Sequence, residues 1–427
     1  MRRLKSSPLL RNVMAVASGT AAGQAVVFAF SPLITRIYSP ESFGLQGVFL
    51  SLISILSPAI ALRYPMAIVV AGSDAEAKYI SRISVIIAFA LSVFLGFVLL
   101  IAKEPLLMIL GAEALGPLIF FLPLALFCVA LQDISNFGAA RERMFRLVGI
   151  VTAIQAFLSN IARVFGGLIS PVAETLLLVT SFSPAVQAAL LKLGRQKCVT
   201  FKSNVNFREA FDLLRRYSDF PLFRVPTDML NAASQSIPVI LLAALFSPIA
   251  AGLYTLTRSV LNLPSNVIGA AVGNVIYARF AEMSREGQPL LPLLMRTTMA
   301  LMTLAPIIIG ISYFAPPVFS FLFGEDWREA GHYAQWMSLW LGVSIANVPA
   351  IRIAPVIHAQ KILLIANVVV LAMRFICIYL VYLMGGDASL AVSVFSVVSL
   401  VSNVGIVIAI LYATSAHDEF RSKSGIS

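Results

Sequence analysis

Six arginines lie inside long apolar stretches of this 427-residue chain, and they are its most informative polar side chains. They are Arg63, Arg163, Arg224, Arg258, Arg352 and Arg374, whereas Arg296 at the cytoplasmic end of its stretch is counted with the preceding loop. An arginine at the centre of a bilayer costs about 2.5–3.5 kcal/mol on the insertion scale, so it usually faces a bundle interior or a wet cavity. Guanidinium groups bind phosphate oxygens bidentately. The pattern therefore predicts a cationic cavity for an anionic substrate.

Apart from Asp219 at the very start of the seventh stretch, the apolar stretches contain only two acidic residues, Asp133 and Asp228. Asp228 lies four residues after Arg224, so these two side chains can pair on one face of a helix. The arginines remain in excess even if both acids are paired. A transporter of cationic drugs is expected to carry acids deep in its helices, whereas the excess charge here has the opposite sign.

The competing interpretation of an arginine inside a span is snorkelling to the membrane surface. It applies to Arg63 and Arg352 toward the cytoplasmic side and to Arg163 toward the outer side. Arg258 and Arg374 lie deeper in their stretches, which favours a role in the cavity.

Neutral polar residues accompany the deep arginines. Asn262 follows Arg258 at a spacing of four, which places both on one helical face. Gln24 and Gln235 lie at similar depths in the first and seventh stretches. The predicted substrate-binding residues are Arg63, Arg224, Arg258, Arg374, Asp228, Asn262 and Gln24.

The composition identifies the elements that hold these residues. The chain is 59% hydrophobic and 12% charged, with a mean hydropathy of +0.90, whereas soluble domains carry about 25% charged residues. A membrane-spanning helix needs roughly 20 mostly apolar residues. Twelve such stretches are predicted, at about 12–35, 44–70, 83–102, 116–137, 147–168, 175–194, 217–246, 250–278, 290–312, 335–357, 363–384 and 388–412. Stretches of this length exclude barrel strands, so the predicted class is an all-α polytopic membrane protein.

The lysines and arginines between the stretches fall mostly in every second gap. By the positive-inside rule, this bias places the N- and C-termini in the cytoplasm. Because the basic residues are scattered among membrane loops, we predict no nucleic-acid partner. The three cysteines are far apart and form no metal-binding motif, so no metal and no cofactor are predicted. Trp327, Trp336 and Trp340 suit an aromatic belt at the outer membrane surface.

An internal repeat divides the chain. Ser39 and Ser247 each begin an S-P-x-x-x-G-L sequence, and the two copies are nearly half the chain length apart. The pattern predicts two parallel six-helix lobes, residues 1–194 and 217–412, which is a common plan of transporters. The connecting segment 195–216 is predicted to be a cytoplasmic interfacial linker with an amphipathic helix. Residues 413–427 form a predicted cytoplasmic tail.

Three local sequences resemble those of a known family. They lie at 33–44 (LITRIYSPESFG), at 62–69 (LRYPMAIV) and at 322–327 (LFGEDW). They are similar to sequences of the bacterial O-antigen flippases (Wzx type) of the multidrug/oligosaccharidyl-lipid/polysaccharide exporter superfamily. Many members carry an acid directly after the Arg-Tyr pair, where this chain has Pro65. The resemblance therefore supplies no local charge partner for Arg63.

The resemblance implies a V-shaped fold with a central cavity that opens alternately to each side of the bacterial inner membrane. The implied activity is the flipping of polyprenyl-diphosphate-linked oligosaccharide units from the cytoplasmic to the periplasmic face. These units would serve O-antigen or other surface polysaccharide synthesis. The implied partners are this substrate, membrane lipid and polysaccharide polymerase machinery.

Two other classes of function remain open at this stage. An ion-coupled small-molecule or drug antiporter of the same fold is the main alternative. A membrane enzyme such as a polymerase or ligase would need a catalytic outer loop. His332 is the sole histidine in the longest predicted outer segment, so no histidine-based acid–base pair is indicated. We therefore predict a transporter that is not an enzyme.

Overall fold

The computed structural model describes residues 8–109, 112–195 and 207–424, and the chain forms two compact units. Unit 1 is Met1–Ala244 and unit 2 is Leu245–Ser427. The predicted lobe boundaries at 194 and 217 remain predictions, because compactness does not test a topological repeat. The predicted V-shaped arrangement of two lobes also remains a prediction.

The described residues of unit 1 form nine α-helices, the last of which ends at the unit boundary. They are α1 (Pro8–Ile37), α2 (Pro40–Ile60), α3 (Ala67–Val70), α4 (Asp74–Ile109), α5 (Phe121–Arg141), α6 (Phe145–Ile169), α7 (Ala173–Gly194), α8 (Phe207–Arg216) and α9 (Val225–Leu245).

Unit 2 continues with eight helices. They are α10 (Pro248–Arg285), α11 (Leu291–Met302), α12 (Leu304–Ser312), α13 (Ala315–Phe323), α14 (Arg328–Ala346), α15 (Val348–Ile353), α16 (Gln360–Leu383) and α17 (Ala388–Ser424).

The predicted all-α membrane class is confirmed. Within the described residues, ten helical segments are long and apolar enough to cross a membrane. The predicted eighth and tenth spans coincide with α10 and with α14–α15, which are helical but fall outside that set. The count of twelve spans therefore remains a prediction. The predicted last span ends at 412, whereas α17 continues to Ser424.

The two S-P-x-x-x-G-L sequences adopt the same local structure. The Ser39 hydroxyl oxygen accepts a hydrogen bond from the Ser42 backbone N–H (3.3 Å), and Ser247 does the same with Ala250 (3.1 Å). Each serine is the N-cap of a helix that begins with proline, whose missing N–H is not needed at that position. The repeat is thus present in the structure at the starts of α2 and α10.

A second local correspondence follows α5 and α15. Arg143 and His358 both have positive φ, 58° and 57°. The backbone N–H of the next residue donates to the carbonyl five residues earlier, Met144 to Ala139 (2.9 Å) and Ala359 to Ala354 (2.8 Å). This is the bond of a Schellman cap, which usually uses glycine at the left-handed position. Both units therefore end a helix in the same way without glycine.

Helix α1 packs on α6 through glycine. A Cβ atom built on Gly19 would lie 2.2 Å from Gly149 Cα, so the two backbones are in direct contact. One turn later, a Cβ on Gly23 would lie 3.6 Å from Thr152, an ordinary contact distance. Small residues spaced by four allow such close approach of membrane helices.

Helix α8 of the predicted linker docks on unit 1. The Tyr64 hydroxyl donates to the Leu214 carbonyl (3.2 Å), and the Tyr217 hydroxyl donates to the Glu76 carboxylate (3.1 Å). Leu214 also packs with Ile80 in one apolar cluster. The predicted part of the linker at 196–206 lies outside the described residues. The described part is a helix anchored to α4 by both polar and apolar contacts.

Tyr217→Phe is expected to loosen α8. The substitution removes the hydrogen bond to Glu76, and a hydrogen bond to a charged group contributes about 1.5–3 kcal/mol when it is well shielded. Amide hydrogen exchange in 207–216 should become about tenfold faster, since exchange reports local opening. Tyr412→Phe, at a tyrosine that is 78% exposed, is the control. Equal exchange in the two variants would contradict the docking role of Tyr217.

Candidate functional site

The second predicted span is interrupted at the position of Arg63. Helix α2 ends at Ile60, and Leu62 and Arg63 both adopt left-handed backbone conformations, with φ of 50° and 56°. A 3-10 turn over Tyr64–Met66 then leads into α3. The prediction of one span over 44–70 is therefore wrong as a continuous helix. Pro65 contributes to the break, because it lacks an N–H and disfavours helical geometry at the preceding residue.

Arg63 contacts both acids of the membrane spans. Its Nε lies 2.8 Å from Asp228 Oδ2 on α9, and its Nη1 lies 3.5 Å from Asp133 Oδ2 on α5. Left-handed non-glycine residues cost on the order of 1–3 kcal/mol and persist only where the surroundings fix them. These two contacts, from two other helices, fix the guanidinium. Arg63 thus has charge partners that its neighbours in sequence do not provide.

Arg224 completes this group at the end of a π-helical turn, Phe220–Arg224. Its Nε lies 3.3 Å from Asp228 Oδ2, which confirms the pairing indicated by the spacing of four. We call Arg63, Arg224, Asp133 and Asp228 the Arg63 cluster. Two arginines and two carboxylates give it a formal charge of zero. The excess of positive charge predicted for the cavity therefore does not lie at Arg63 and Arg224.

Unit 2 holds Arg374 on α16 among aromatic rings. The guanidinium carbon lies 5.4 Å from the centre of the Phe395 ring and 5.8 Å from that of Trp340. The Phe395 ring meets Trp340 and Tyr254 edge to face, at 6.2 Å and 5.9 Å between centroids. We call Arg374, Trp340, Phe395 and Tyr254 the Arg374 cluster. Cation–π contacts of this kind hold a guanidinium against the faces of aromatic rings.

Arg258 belongs to the same region of unit 2. It lies one turn after Tyr254 on α10, and the Tyr254 hydroxyl is within electrostatic range of both Arg258 and Arg374. The two guanidinium groups are close enough to repel each other. The fold therefore brings together the two arginines that the sequence placed deepest, in an arrangement that an anion would stabilise.

The remaining predicted residues lie around these clusters. Asn262 is half-buried on α10, one turn beyond Arg258. Gln24 is half-buried on α1, and within the described part of the chain no hydrogen bond joins it to the Arg63 cluster. Arg352 is exposed, and its side chain lies beside α10. A Cβ atom built on Gly273 of α10 would lie 2.9 Å from the Arg352 Nε atom.

Sequence reasoning missed the aromatic members of the Arg374 cluster. Trp340 was expected at the membrane surface but contacts Arg374, whereas Trp336 is 43% exposed, as a belt residue should be. Tyr254 lies four residues before Arg258 on α10, so the sequence alone could have predicted that the two share a helical face. Trp340 and Phe395 come from α14 and α17, and no short-range pattern links them to Arg374.

Two hydrogen-bonded groups of neutral polar side chains in unit 1 were also missed. In the first, Gln155 bonds to Ser183, and the Ser159 and Ser183 hydroxyls lie 2.6 Å apart. In the second, Gln187 on α7 bonds to Gln132 and Asn136 on α5 and to Thr152 on α6. Such groups join helices in an apolar environment.

Among the residues that the structure describes, no group of three or more His, Cys, Asp or Glu could hold a metal ion.

Comparison with known proteins places the chain in a family. Residues 33–332 match the family described as "Polysaccharide biosynthesis protein". The chain belongs to this family. The resemblance carried by the local sequences is thereby confirmed at the family level.

One relative of this chain is the succinoglycan biosynthesis transport protein ExoT of Rhizobium meliloti (strain 1021). The two are 25% identical over 319 residues, which cover 74% of this chain and 63% of the relative. The matched region thus spans less than two thirds of the relative's own length.

Two solved structures share the fold. The lipid II flippase MurJ in an inward closed conformation superposes with a TM-score of 0.67 at 13% identity, covering 94% of this chain and 91% of MurJ. A mutant of the Vibrio cholerae MATE transporter VcmN gives 0.58 at 16% identity, covering 96% and 95%. At these identities the likeness shows the fold alone. The chain therefore shares the helical architecture of these two proteins.

Proposed function

We propose that this protein flips polyprenyl-diphosphate-linked oligosaccharide units from the cytoplasmic to the periplasmic face of the bacterial inner membrane. The units supply O-antigen or another surface polysaccharide, and transport proceeds by alternating access. The protein acts as a transporter and not as an enzyme. Membership in a polysaccharide biosynthesis family supports this function, as does the likeness to ExoT, whose name describes succinoglycan transport.

The observation that carries the proposal is the Arg374 cluster with Arg258 beside it. A diphosphate has several oxygen atoms. The planar guanidinium group can donate two parallel N–H hydrogen bonds to such oxygens. The Trp340 and Phe395 faces hold the Arg374 guanidinium by contacts that need no carboxylate. The cluster therefore suits the diphosphate of a lipid-linked sugar.

The direction of transport follows from charge. With the cytoplasmic side negative, outward movement of an anion is favourable by about 2.3 kcal/mol per charge per 100 mV. The arrangement of basic residues supports cytoplasmic termini in the inner membrane. The lipid tail remains in the bilayer, and polysaccharide polymerase machinery receives the flipped product.

A drug antiporter of the same fold is the second candidate, and the likeness to VcmN gives it the same architecture. The observation that separates the two candidates is the Arg63 cluster. Both acids of the spans, Asp133 and Asp228, already contact Arg63. A cation carrier needs carboxylates that can release a charge partner and take up the drug. The Arg374 cluster instead presents positive charge.

The test is the sidedness of lipid-linked oligosaccharide in cells that lack this protein and any redundant flippase. A membrane-impermeant glycan probe measures the fraction on the outer face. We expect inner-face accumulation, reversed by the wild-type protein and not by Arg374→Met. Arg374→Lys should restore less than half of the activity, because lysine keeps the charge but loses the planar fork.

Arg279→Gln is the matched control. Arg279 is half-exposed at the end of α10 and pairs with Glu282, so its removal should leave flipping unchanged. Normal outer-face display without the protein would refute the flippase function. Proton- or sodium-driven efflux of cationic drugs by the purified protein would then support the antiporter.

A further inference from the structure

Arg163 lies in the interior of unit 1 with most of its donors unused. Its Nη1 approaches Asn160 Oδ1 only at 3.5 Å, and its buried Nε has no hydrogen-bond partner. Within residues 8–109, 112–195 and 207–424, no carboxylate lies within ion-pair distance of its guanidinium. A guanidinium carries five N–H donors. Arg163 is therefore a cation in a membrane helix without a compensating acid.

The direction of the side chain argues against snorkelling. The nearer end of α6 is its C-terminus, Ile169. Helical side chains lean toward the N-terminus, and the contact with Asn160, three residues earlier, shows that Arg163 does so. The direction of the Arg163 side chain therefore favours the cavity over the snorkelling alternative. Its charge is directed toward the middle of the helix.

Neighbouring groups fix this position. The Asn160 amide nitrogen donates to the Ala156 carbonyl (2.7 Å), which turns its Oδ1 toward Arg163. The Tyr38 hydroxyl donates to the Arg163 carbonyl (2.9 Å), and the Tyr38 ring lies against Gly167. Both Asn160 and Tyr38 are almost fully buried, at 1% and 2% exposure.

The repeat relates Arg163 to Arg374. Arg163 lies on α6, the fifth predicted span of the first half, and Arg374 lies on α16, the fifth of the second. The two are separated by nearly the same number of residues as the N-cap serines Ser39 and Ser247. Each unit thus carries one guanidinium at the corresponding position of its fifth span.

We propose that Arg163 is an oxyanion-binding residue of unit 1 that takes the phosphate groups of the lipid-linked substrate, and that Asn160 positions its guanidinium. This inference rests on the proposed function. It adds a binding residue that lies outside both the Arg63 cluster and the Arg374 cluster. The chemistry is that of phosphoryl oxygens, which a lipid diphosphate and a free diphosphate share.

The experiment measures binding of polyprenyl diphosphate, without a glycan, to the full-length protein in phosphatidylcholine nanodiscs. Arg163→Met should weaken binding at least tenfold, and Arg163→Lys should give an intermediate affinity. Arg146→Met is the control, because it removes one positive charge from the other end of the same helix, and it should bind as the wild type does. A second arm measures binding of inorganic diphosphate, which distinguishes a site for the lipid diphosphate from a site for free diphosphate.

Wild-type affinity in Arg163→Met would overturn the inference while leaving the proposed function intact. If that variant does not fold, unchanged affinity in Arg163→Lys would overturn it equally. Failure of the wild type itself to bind polyprenyl diphosphate would instead refute the proposed function. Arg163-dependent binding of inorganic diphosphate, with no added affinity for the lipid form, would overturn the assignment to the transported lipid.

Discussion

Asp228→Asn is expected to reduce lipid-linked oligosaccharide flipping about tenfold. The substitution keeps the shape of the side chain but removes the charge that both Arg63 (2.8 Å) and Arg224 (3.3 Å) contact. Removing one partner of a buried ion pair costs about 3–5 kcal/mol. Because these groups are partly exposed, we expect about 1–2 kcal/mol, and 1.4 kcal/mol corresponds to a factor of ten. The glycan-sidedness assay measures the effect.

Asp133→Asn is the matched comparison. Asp133 contacts only Arg63 in this group, at 3.5 Å, so its loss should reduce flipping less than the loss of Asp228. A double-mutant cycle between Arg63→Met and Asp228→Asn should give a coupling energy within the range of about 0.5–3 kcal/mol seen for contacting residues. Additive effects in that cycle, or equal activity of the two single asparagine variants, would contradict the cluster as described.

Gly19→Ala is expected to destabilise the protein strongly. The new Cβ would lie 2.2 Å from Gly149 Cα on α6, a distance that real Cβ atoms essentially never show. The neighbouring atoms belong to the Gly149 backbone, so α1 and α6 must separate along their contact. Overpacking costs about 1–3 kcal/mol, and a clash of two backbones lies at the upper end. Thermal unfolding of the detergent-purified protein and the yield of monodisperse protein measure the loss.

Gly23→Ala is the control on the same helix, because its Cβ would meet Thr152 at 3.6 Å. It should unfold at the wild-type temperature, or slightly above it, since alanine stabilises helices relative to glycine. Equal stability of the two alanine variants would show that α1 does not approach α6 at Gly19 in the membrane.

Features that depend on residues close in sequence could be predicted from the sequence. The pairing of Arg224 with Asp228 was predictable because a helix brings residues four apart together. The N-cap roles of Ser39 and Ser247 follow in the same way from Ser-Pro at a helix start. Membrane helices were predictable because the bilayer imposes their length and apolar character.

Long-range contacts were not predictable in this way. Asp133 and Asp228 reach Arg63 from helices that are distant in sequence, and only the packing of α5 and α9 brings them there. The same holds for Trp340 and Phe395 around Arg374. The left-handed break at Leu62 and Arg63 was missed because apolar composition continues through it, although Pro65 was a usable signal. The direction of the Arg163 side chain was left open because depth in a span was considered without the lean of helical side chains.

The membership of α8 and α9 in unit 1 has a consequence for biogenesis. All ionic partners of Arg63 lie before residue 245, and so do the tyrosine contacts that anchor α8. Since synthesis proceeds from the N-terminus and domains generally fold as units, the Arg63 cluster can form while unit 2 is still being translated. The second unit would thus be inserted into a membrane where the charges of the Arg63 cluster are already paired.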